Sequence, residues 1–311
     1  MQQKALAIIK EVRKAVVGKD AIIGKVLMVI LSQGHILLED IPGVGKTTLA
    51  LAFSKAMDLD YKRVQFTPEV MPADVVGFSI YNKATGKLEY QPGAALCNLF
   101  LADEINRTSS KTQSALLQAM EEGRVTVDGV TRQIPRPYTV IATQNPVGSA
   151  GTQLLPESQM DRFMVRLSMG YPKLEDEVEI LKRKQGGDPL ESVTQVVTAQ
   201  EILLMQQQVE AVHVHDDIYG YITRLCAATR ENQLIRLGAS PRGSISLTRM
   251  SRAAAWLSGR DYVVPDDVKM VFFDVLEHRL VLGSGAKISN TNARTILAQI
   301  LQAIPAPQIA G

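Results

Sequence analysis

Short apolar runs alternate with stretches of helical periodicity along the first half of the chain. The runs are continuously apolar rather than alternating, which is typical of parallel strands buried on both faces. They are residues 35–40 (HILLED), 61–66 (YKRVQF), 98–104 (NLFLADE), 138–144 (YTVIATQ) and 162–169 (RFMVRLSM). Helical patterns separate most of them. Strands that alternate with helices indicate an α/β fold with a parallel sheet.

Two segments depart from this alternation. Residues 72–96 hold short strand-like pieces around Thr85-Gly86. Residues 123–137 alternate apolar and polar positions around Asp128-Gly129, and Asp-Gly between such runs is a strong hairpin signal. We therefore expect two β-hairpins inserted into the helical connections.

The pattern becomes helical after Tyr171-Pro172. Helix starts are predicted at Thr198, at Ser240-Pro241 and at Val264-Pro265-Asp266, and no strand-like run of comparable quality appears there. The sequence thus divides into an α/β core over residues 1–172 and an all-helical domain over residues 173–311, both of ordinary domain size.

Composition narrows the class of protein without changing this picture. The 311 residues are 46% hydrophobic and 21% charged, and 34 Lys and Arg stand against 32 Asp and Glu, a formal charge of +2. Near-neutrality argues against a dedicated nucleic-acid-binding protein. No segment reads as a secretion signal or a membrane span, so we expect a cytoplasmic protein.

The first candidate functional motif is residues 37–48, LLEDIPGVGKTT, which connect a predicted strand to a predicted helix. In that setting a glycine loop and a helix N-terminus present backbone N–H groups to phosphate. Lys46 would reach the β- and γ-phosphates, and the Thr47 hydroxyl would bind Mg²⁺. The candidate nucleotide-binding residues of this loop are Pro42, Gly43, Val44, Gly45, Lys46, Thr47 and Thr48.

Asp40 stands where the generic G-x-x-x-x-G-K-[ST] motif has its first glycine. We expect it to close the preceding strand, away from the phosphates, and to tolerate unusual dihedral angles better than most residues do. On this reasoning Asp40→Gly should keep activity.

Polar residues at the ends of two other predicted strands complete a candidate site. Asp103 is suited to holding Mg²⁺, and Glu104 can act as the base that polarises an attacking water. Asn145, at the tip of the next strand, could hold that water, although Asn145-Pro146 alone is most simply a turn. Arg162 and Arg242 could stabilise transition-state charge, but the sequence alone does not single them out among the arginines.

Taken together, these motifs resemble the MoxR family of AAA+ ATPases. The resemblance runs from Val17-Gly18 to about Arg279 and rests on motifs in family order. These are HILLEDIPGVGKT, LADEINRTSSKTQSALLQAMEEGRVTVDG, ATQNP, LPESQMDRFMV and SPRGSISL. It implies a P-loop AAA+ core with two hairpin inserts, followed by a helical lid. The hairpins resemble the helix-2 insert and the pre-sensor-1 hairpin of the clade that includes magnesium chelatase and the MCM helicases.

The resemblance also implies roles for individual residues. Lys46 and Thr47 match Walker A, and the acidic pair Asp103 and Glu104 matches Walker B. Asn145 matches sensor 1. Arg162 resembles an arginine finger donated to the adjacent subunit, with Arg107 as the alternative, and Arg242 matches sensor 2. Val17 and Gly18 occupy the adenine side. The implied ligands are ATP and Mg²⁺, and the implied assembly is a homo-oligomeric ring, most simply a hexamer.

Three functions are compatible with this reading. The leading one is an ATP-driven remodeller that acts in maturation, assembly or cofactor insertion of other protein complexes, as the family implies. Such ATPases often work with proteins that carry von Willebrand factor A domains. The alternative is a nucleic-acid motor or loader, because the helicase relatives share both inserts. The third is a catalytically silent scaffold that only binds ATP, against which the intact acidic pair argues.

Overall fold

The computed structural model of the chain describes residues 1–145 and 155–308. The elements of its amino-terminal part are, in chain order, α1 (Gln2–Ala15), α2 (Asp20–Leu31), β1 (Ile36–Glu39), α3 (Lys46–Met57), β2 (Tyr61–Gln65), α4 (Pro72–Val76), β3 (Gly77–Asn82), β4 (Lys87–Pro92), β5 (Leu99–Asp103), α5 (Ser110–Glu122), β6 (Arg124–Val127), β7 (Val130–Gln133), β8 (Thr139–Gln144), α6 (Glu157–Met160) and β9 (Val165–Leu167).

A five-stranded parallel sheet forms the centre of this part, in the order β2-β5-β8-β1-β9. All five predicted strands are confirmed. The central strand β8 is buried along its whole length, as its continuous apolar run predicts. The edge strand β2 is largely solvent-accessible, so its expected burial was wrong, because an edge strand lacks a neighbour on one side. The parallel sheet confirms the predicted α/β fold.

Both predicted hairpins are present. β3 pairs with β4 across the turn that holds Thr85-Gly86, and β6 pairs with β7 across Asp128-Gly129. Asp128 and Gly129 both have positive φ, 51° and 74°, as a two-residue hairpin turn requires. The two hairpins contact each other where the Arg132 guanidinium stacks 3.7 Å from the centre of the Tyr90 ring.

The carboxyl-terminal part is helical, as predicted. Its elements are α7 (Leu174–Gln185), α8 (Ala199–Glu210), α9 (Asp216–Glu231), β10 (Ile235–Leu237), α10 (Pro241–Leu257), α11 (Pro265–Leu276), β11 (Val281–Leu282), α12 (Ser284–Ile288) and α13 (Ala293–Ala303). Thr198, Ser240 and Val264 are the N-cap residues of three of these helices, which confirms the predicted starts. This part is not all-helical, however, because β10 and β11 form a short antiparallel ladder. The two strands are too short for the sequence pattern to predict them.

Apolar packing joins the two parts of the chain. One buried cluster contains Val12 of α1 and Phe53 of α3 together with Ile202 and Leu247 of the helical part. A second cluster, with Phe100 and Leu116, lies on the other face of the sheet under α5. The division at residue 172 therefore remains a prediction, because the largest core contains residues from both sides of it.

No helix within residues 1–145 and 155–308 has the length and apolar character needed to cross a membrane.

His35, immediately before β1, ties the start of the central strands to the end of α5. Its Nδ1 accepts a hydrogen bond from the Val140 N–H at 3.0 Å, so its Nε2–H donates to the Met120 carbonyl, also at 3.0 Å. Burial lowers the pKa of His35 from 6.5 to about 4, against an opposing contribution from the hydrogen bond to Met120. A second proton on this ring would be carried by Nδ1 and would point at the Val140 N–H, so that hydrogen bond would be lost.

We expect His35 to make the fold acid-sensitive. Between pH 6.5 and 4 the unfolded chain binds a proton on this imidazole that the folded chain does not, so the free energy of unfolding falls as pH is lowered. The loss from this group is about 3 kcal/mol, and it vanishes above pH 6.5. Urea unfolding at several pH values tests this against His35→Gln. An equal pH dependence in both proteins would contradict it.

Candidate functional site

The predicted phosphate-binding loop connects β1 to α3. Gly43 and Gly45 have φ values of +85° and +94°, a left-handed conformation that glycine adopts without a steric penalty. Gly45 is the N-cap of α3, and Lys46, Thr47 and Thr48 form its first turn. The free backbone N–H groups of that turn and its helix dipole are the features by which helix N-termini bind phosphate in other proteins.

The side chain of Lys46 folds back over the loop. Its ammonium donates hydrogen bonds to the backbone carbonyls of Asp40, at 3.0 Å, and Ile41, at 3.2 Å. These are neutral acceptors, and hydrogen bonds to a charged phosphate oxygen are stronger. The lysine is therefore positioned to exchange loop carbonyls for phosphate.

The Asp40 side chain has a structural role that the sequence did not reveal. The residue is buried, and its carboxylate accepts hydrogen bonds from the Ser168 hydroxyl (2.8 Å) and from the backbone N–H groups of Met169 (2.6 Å) and Gly170 (2.9 Å). Asp40 does not have a positive φ, so the expectation that it serves an unusual dihedral angle was wrong. It ties the phosphate loop to the segment that leaves β9.

We therefore expect Asp40→Ala to destabilise the fold. The substitution leaves two backbone donors and one hydroxyl without their acceptor, which should lower the free energy of unfolding by about 3 kcal/mol. Asp20→Ala is the matched control, because Asp20 is 60% exposed and its ion pair with Arg13 should contribute less than about 1 kcal/mol. Equal unfolding midpoints in urea for the two variants would refute the role assigned to Asp40.

The Val17-Gly18 turn lies against the same segment. Gly18 has a φ of +69°, a left-handed conformation that favours glycine, and it lies against the Asp176 carboxylate. The Lys19 ammonium donates to the carbonyls of Met169 and Tyr171, at 2.5 and 2.9 Å. The proposed adenine side is thus connected to the phosphate loop through residues 168–176.

The acidic pair lies at the carboxyl end of β5. Thr143 of β8 donates to Asp103 Oδ1 at 2.6 Å and accepts from the Glu104 N–H at 2.9 Å. Glu104 has a φ of +56°, a strained conformation for a non-glycine residue that this hydrogen bond helps to hold. Both carboxylates also pair with arginines of the same chain: Asp103 with Arg63 and Glu104 with Arg107, each at 2.7 Å.

Thr143 and Arg63 were missed by sequence reasoning. The signal available for Thr143 was a threonine near the carboxyl end of a strand that is buried along its whole length. No signal in the sequence indicated Arg63, because a single arginine in an edge strand is common and does not indicate a functional role. Arg107, the alternative trans arginine, contacts Glu104 of its own chain, as Arg162 contacts Glu121, and its role across an interface stays a prediction.

Strand order brings the remaining pieces of this site together. β8 lies between β1 and β5, and Asn145 directly follows β8 at the carboxyl edge of the sheet. Asn145 thus stands between the strand that leads into the phosphate loop and the strand that ends in Asp103. Pro146 of the same motif lies outside the described residues.

The two predicted arginines are brought together, but at the opposite end of the sheet. Arg162 Nη1 lies 3.2 Å from Glu121 Oε2, and Arg242 Nη2 bonds the other oxygen of the same carboxylate. The Met164 N–H donates to the carbonyl of His35, which precedes β1, at 2.8 Å, whereas the phosphate loop follows the last residue of β1. The four residues of β1 span about 13 Å.

These arginines line a cleft between α5, the segment before β9, and α10. Arg249, two turns along α10 from Arg242, lines the same cleft, as do His35, Asp161 and Ile245. The Arg162 Nε is buried and has no hydrogen-bond partner among the described residues. Arg242 also lies in the first turn of a helix without an acidic residue there, an unfavourable position for a cation. Arg162, Arg242 and Arg249 outnumber the carboxylates Glu121 and Asp161 among the residues that line the cleft.

Two arginines of the second hairpin contact neighbouring side chains, whereas Lys83 and Lys87 of the first hairpin are exposed. The Arg124 side chain pairs with Glu122 at 3.0 Å, and Arg132 is stacked on Tyr90.

Similar proteins are found for both parts of the chain. Residues 35–165 match the ATPase family associated with various cellular activities (AAA), and residues 227–300 match the AAA lid domain. The uncharacterized protein YeaC of Bacillus subtilis is 45% identical over 299 residues, which cover 96% of this chain and 93% of YeaC. Chaperone MoxR1 of Mycobacterium tuberculosis is 37% identical over 308 residues, covering 96% of this chain and 81% of MoxR1. The crystal structure of a protein from Cytophaga hutchinsonii, described as a candidate ATPase, has a TM-score of 0.92 and 38% identity, covering 99% of this chain and 96% of that one.

Proposed function

The chain belongs to the MoxR family of AAA+ ATPases, and from this membership we propose that it hydrolyses ATP at sites completed by neighbouring copies and uses the motion to remodel another protein. The observation that carries the proposal is the separation of its two charged sites. The phosphate loop and the acidic pair lie at the carboxyl edge of the sheet, and Arg162 and Arg242 lie beyond the amino edge.

Within one chain, the nucleotide site contains the groups that bind ATP and the base that activates the attacking water. The loop N–H groups and Lys46 would bind the phosphates of ATP, and Glu104 would polarise the attacking water, which Asn145 orients. Thr47 and Asp103 present a hydroxyl and a carboxylate, oxygen donors that suit Mg²⁺. When bound there, Mg²⁺ neutralises charge on the β- and γ-phosphates.

The arginines act on a second copy. Because Arg162 and Arg242 lie about one strand length from their own phosphate loop, they stabilise charge on the γ-phosphate of an adjacent subunit. Glu121, which holds both guanidinium groups, releases them to that phosphate. A site shared between copies requires a head-to-tail interface, which forms a ring where the rotation between copies closes. The family resemblance favours a ring of six subunits.

The remodelling role is supported by the relative named as a chaperone and by the exposed hairpins. Its test is ATP-dependent capture: a Glu104→Gln protein with ATP should retain a client from native lysate, and Lys46→Ala should not. That client, for which the family resemblance suggests a von Willebrand factor A domain protein, should then stimulate hydrolysis by the natural protein. A labelled DNA that shifts at physiological salt and stimulates hydrolysis instead would favour the nucleic-acid motor.

A further inference from the structure

We propose that Asp161 is a positioning residue for hydrolysis, which fixes Arg162 and Arg242 in one arrangement, and that Ser240 is its connection to α10. The inference rests on the proposed role of these two arginines. Arg162 comes from the segment before β9 and Arg242 from the lid, and Glu121 joins only their guanidinium ends, so a further contact is needed to hold their backbones in place.

One hydroxyl joins Asp161 to the helix that carries Arg242. Ser240 Oγ donates to Asp161 Oδ2 at 2.7 Å and accepts from the Arg242 N–H at 3.1 Å. A hydroxyl has one proton to donate and lone pairs to accept, so both bonds form at once. The carboxylate next to Arg162 in sequence is therefore two hydrogen bonds away from the backbone of Arg242.

Arg279 holds Asp161 from the other side. Its guanidinium is buried, and Nη1 bonds both the carbonyl and the carboxylate of Asp161. Its Nη2 donates to the Phe163 carbonyl at 2.6 Å and to Ser246 Oγ of α10 at 3.2 Å. Burial lowers the pKa of Arg279, and the neighbouring Asp161 carboxylate opposes that shift. Arg279 thus fixes Asp161 relative to both the sheet and α10.

The arrangement makes the two arginines move as a unit. A rotation of α10 shifts Ser240, and Ser240 shifts Asp161 and, with it, the backbone of Arg162. Glu121 then sets the guanidinium ends, while Asp161 sets the two backbone positions. Small errors in such positions are costly, since about 1 Å of misplacement can lower a rate by about 100-fold.

Ser240→Ala tests the connection without disturbing the buried pair of Asp161 and Arg279. We expect kcat to fall about 10- to 100-fold with KM for ATP changed less than about twofold. Ser240→Thr retains the hydroxyl and should restore kcat. Asn292→Ala is the matched control, because Asn292 is also an N-cap of a lid helix, by its bond from the Thr295 N–H at 2.8 Å, but does not contact the arginines.

The defect should also be located in the subunit that donates the arginines. Arg162→Ala protein mixed with Lys46→Ala protein should regain activity, but mixed with a Lys46→Ala/Ser240→Ala double variant it should not. A Lys46→Ala/Asn292→Ala partner should restore activity as well as Lys46→Ala does. If Ser240→Ala retains the natural kcat while Arg162→Ala is inactive, the positioning role is wrong and the proposed function stands. If Arg162→Ala retains full activity, both are wrong.

Discussion

Glu104→Gln is expected to bind ATP as tightly as the natural sequence and to hydrolyse it at least about 100-fold more slowly. General-base catalysis contributes about 10²–10⁴-fold, and glutamine cannot accept the proton. It can still accept the hydrogen bond that Arg107 now donates to Glu104, so the local structure should persist. Lys46→Ala should give the opposite result, with loss of binding, because the ammonium that reaches the phosphates is removed.

Binding by isothermal titration and turnover by phosphate release separate these outcomes. Glu231→Gln, an exposed carboxylate at the end of α9, is the matched control and should behave as the natural protein does. A Glu104→Gln protein that turns over ATP at the natural rate would exclude Glu104 as the base. If the natural protein also fails to hydrolyse ATP at concentrations where it assembles, the chain is a silent nucleotide-binding scaffold.

Arg162→Ala is expected to lower turnover by about 1,000-fold or more, as removal of an arginine finger does. Mixed with Glu104→Gln protein, it should regain activity, because the Arg162→Ala copy keeps its loop and base and its partner keeps the arginine. In an equal mixture about a quarter of the interfaces combine both intact halves in the productive order. Arg242→Ala should be rescued in the same way, since the cleft places it beside Arg162.

Arg224→Ala is the control for these mixtures, because Arg224 is an exposed arginine on α9, away from the cleft. Light scattering must show that the mixed subunits exchange and assemble. If assembly is intact and mixing restores nothing, Arg162 does not act across an interface.

Local sequence signals predicted the scaffold of this protein well. Buried strands, the Asp128-Gly129 turn and the cap at Thr198 are each encoded within a few neighbouring residues, so periodicity and turn chemistry reveal them. The contents of the phosphate loop were also predictable, because the motif is continuous in sequence.

The contacts that connect distant segments were not predictable. Asp40 and Gly170 are 130 residues apart, and Arg242 and Glu121 are 121 residues apart, and no local pattern encodes such a pair. The family resemblance identified Arg162 and Arg242, but it did not reveal that one carboxylate holds both. The contacts of Asp161 with Ser240 and Arg279 were likewise not predictable, because both partners lie in the lid, far away in sequence.

The bonds of Asp40 have a consequence for transplanting this loop. A P-loop is commonly regarded as one continuous segment, made of a strand end, glycines and a helix start, that can be transferred between proteins. In this protein a second segment, Ser168 to Gly170, belongs to the same unit, because it donates three hydrogen bonds to the Asp40 carboxylate. A chimera that received residues 37–48 alone would carry a buried carboxylate without its donors, whereas one that received both segments would carry a complete unit. The functional module is therefore discontinuous in sequence.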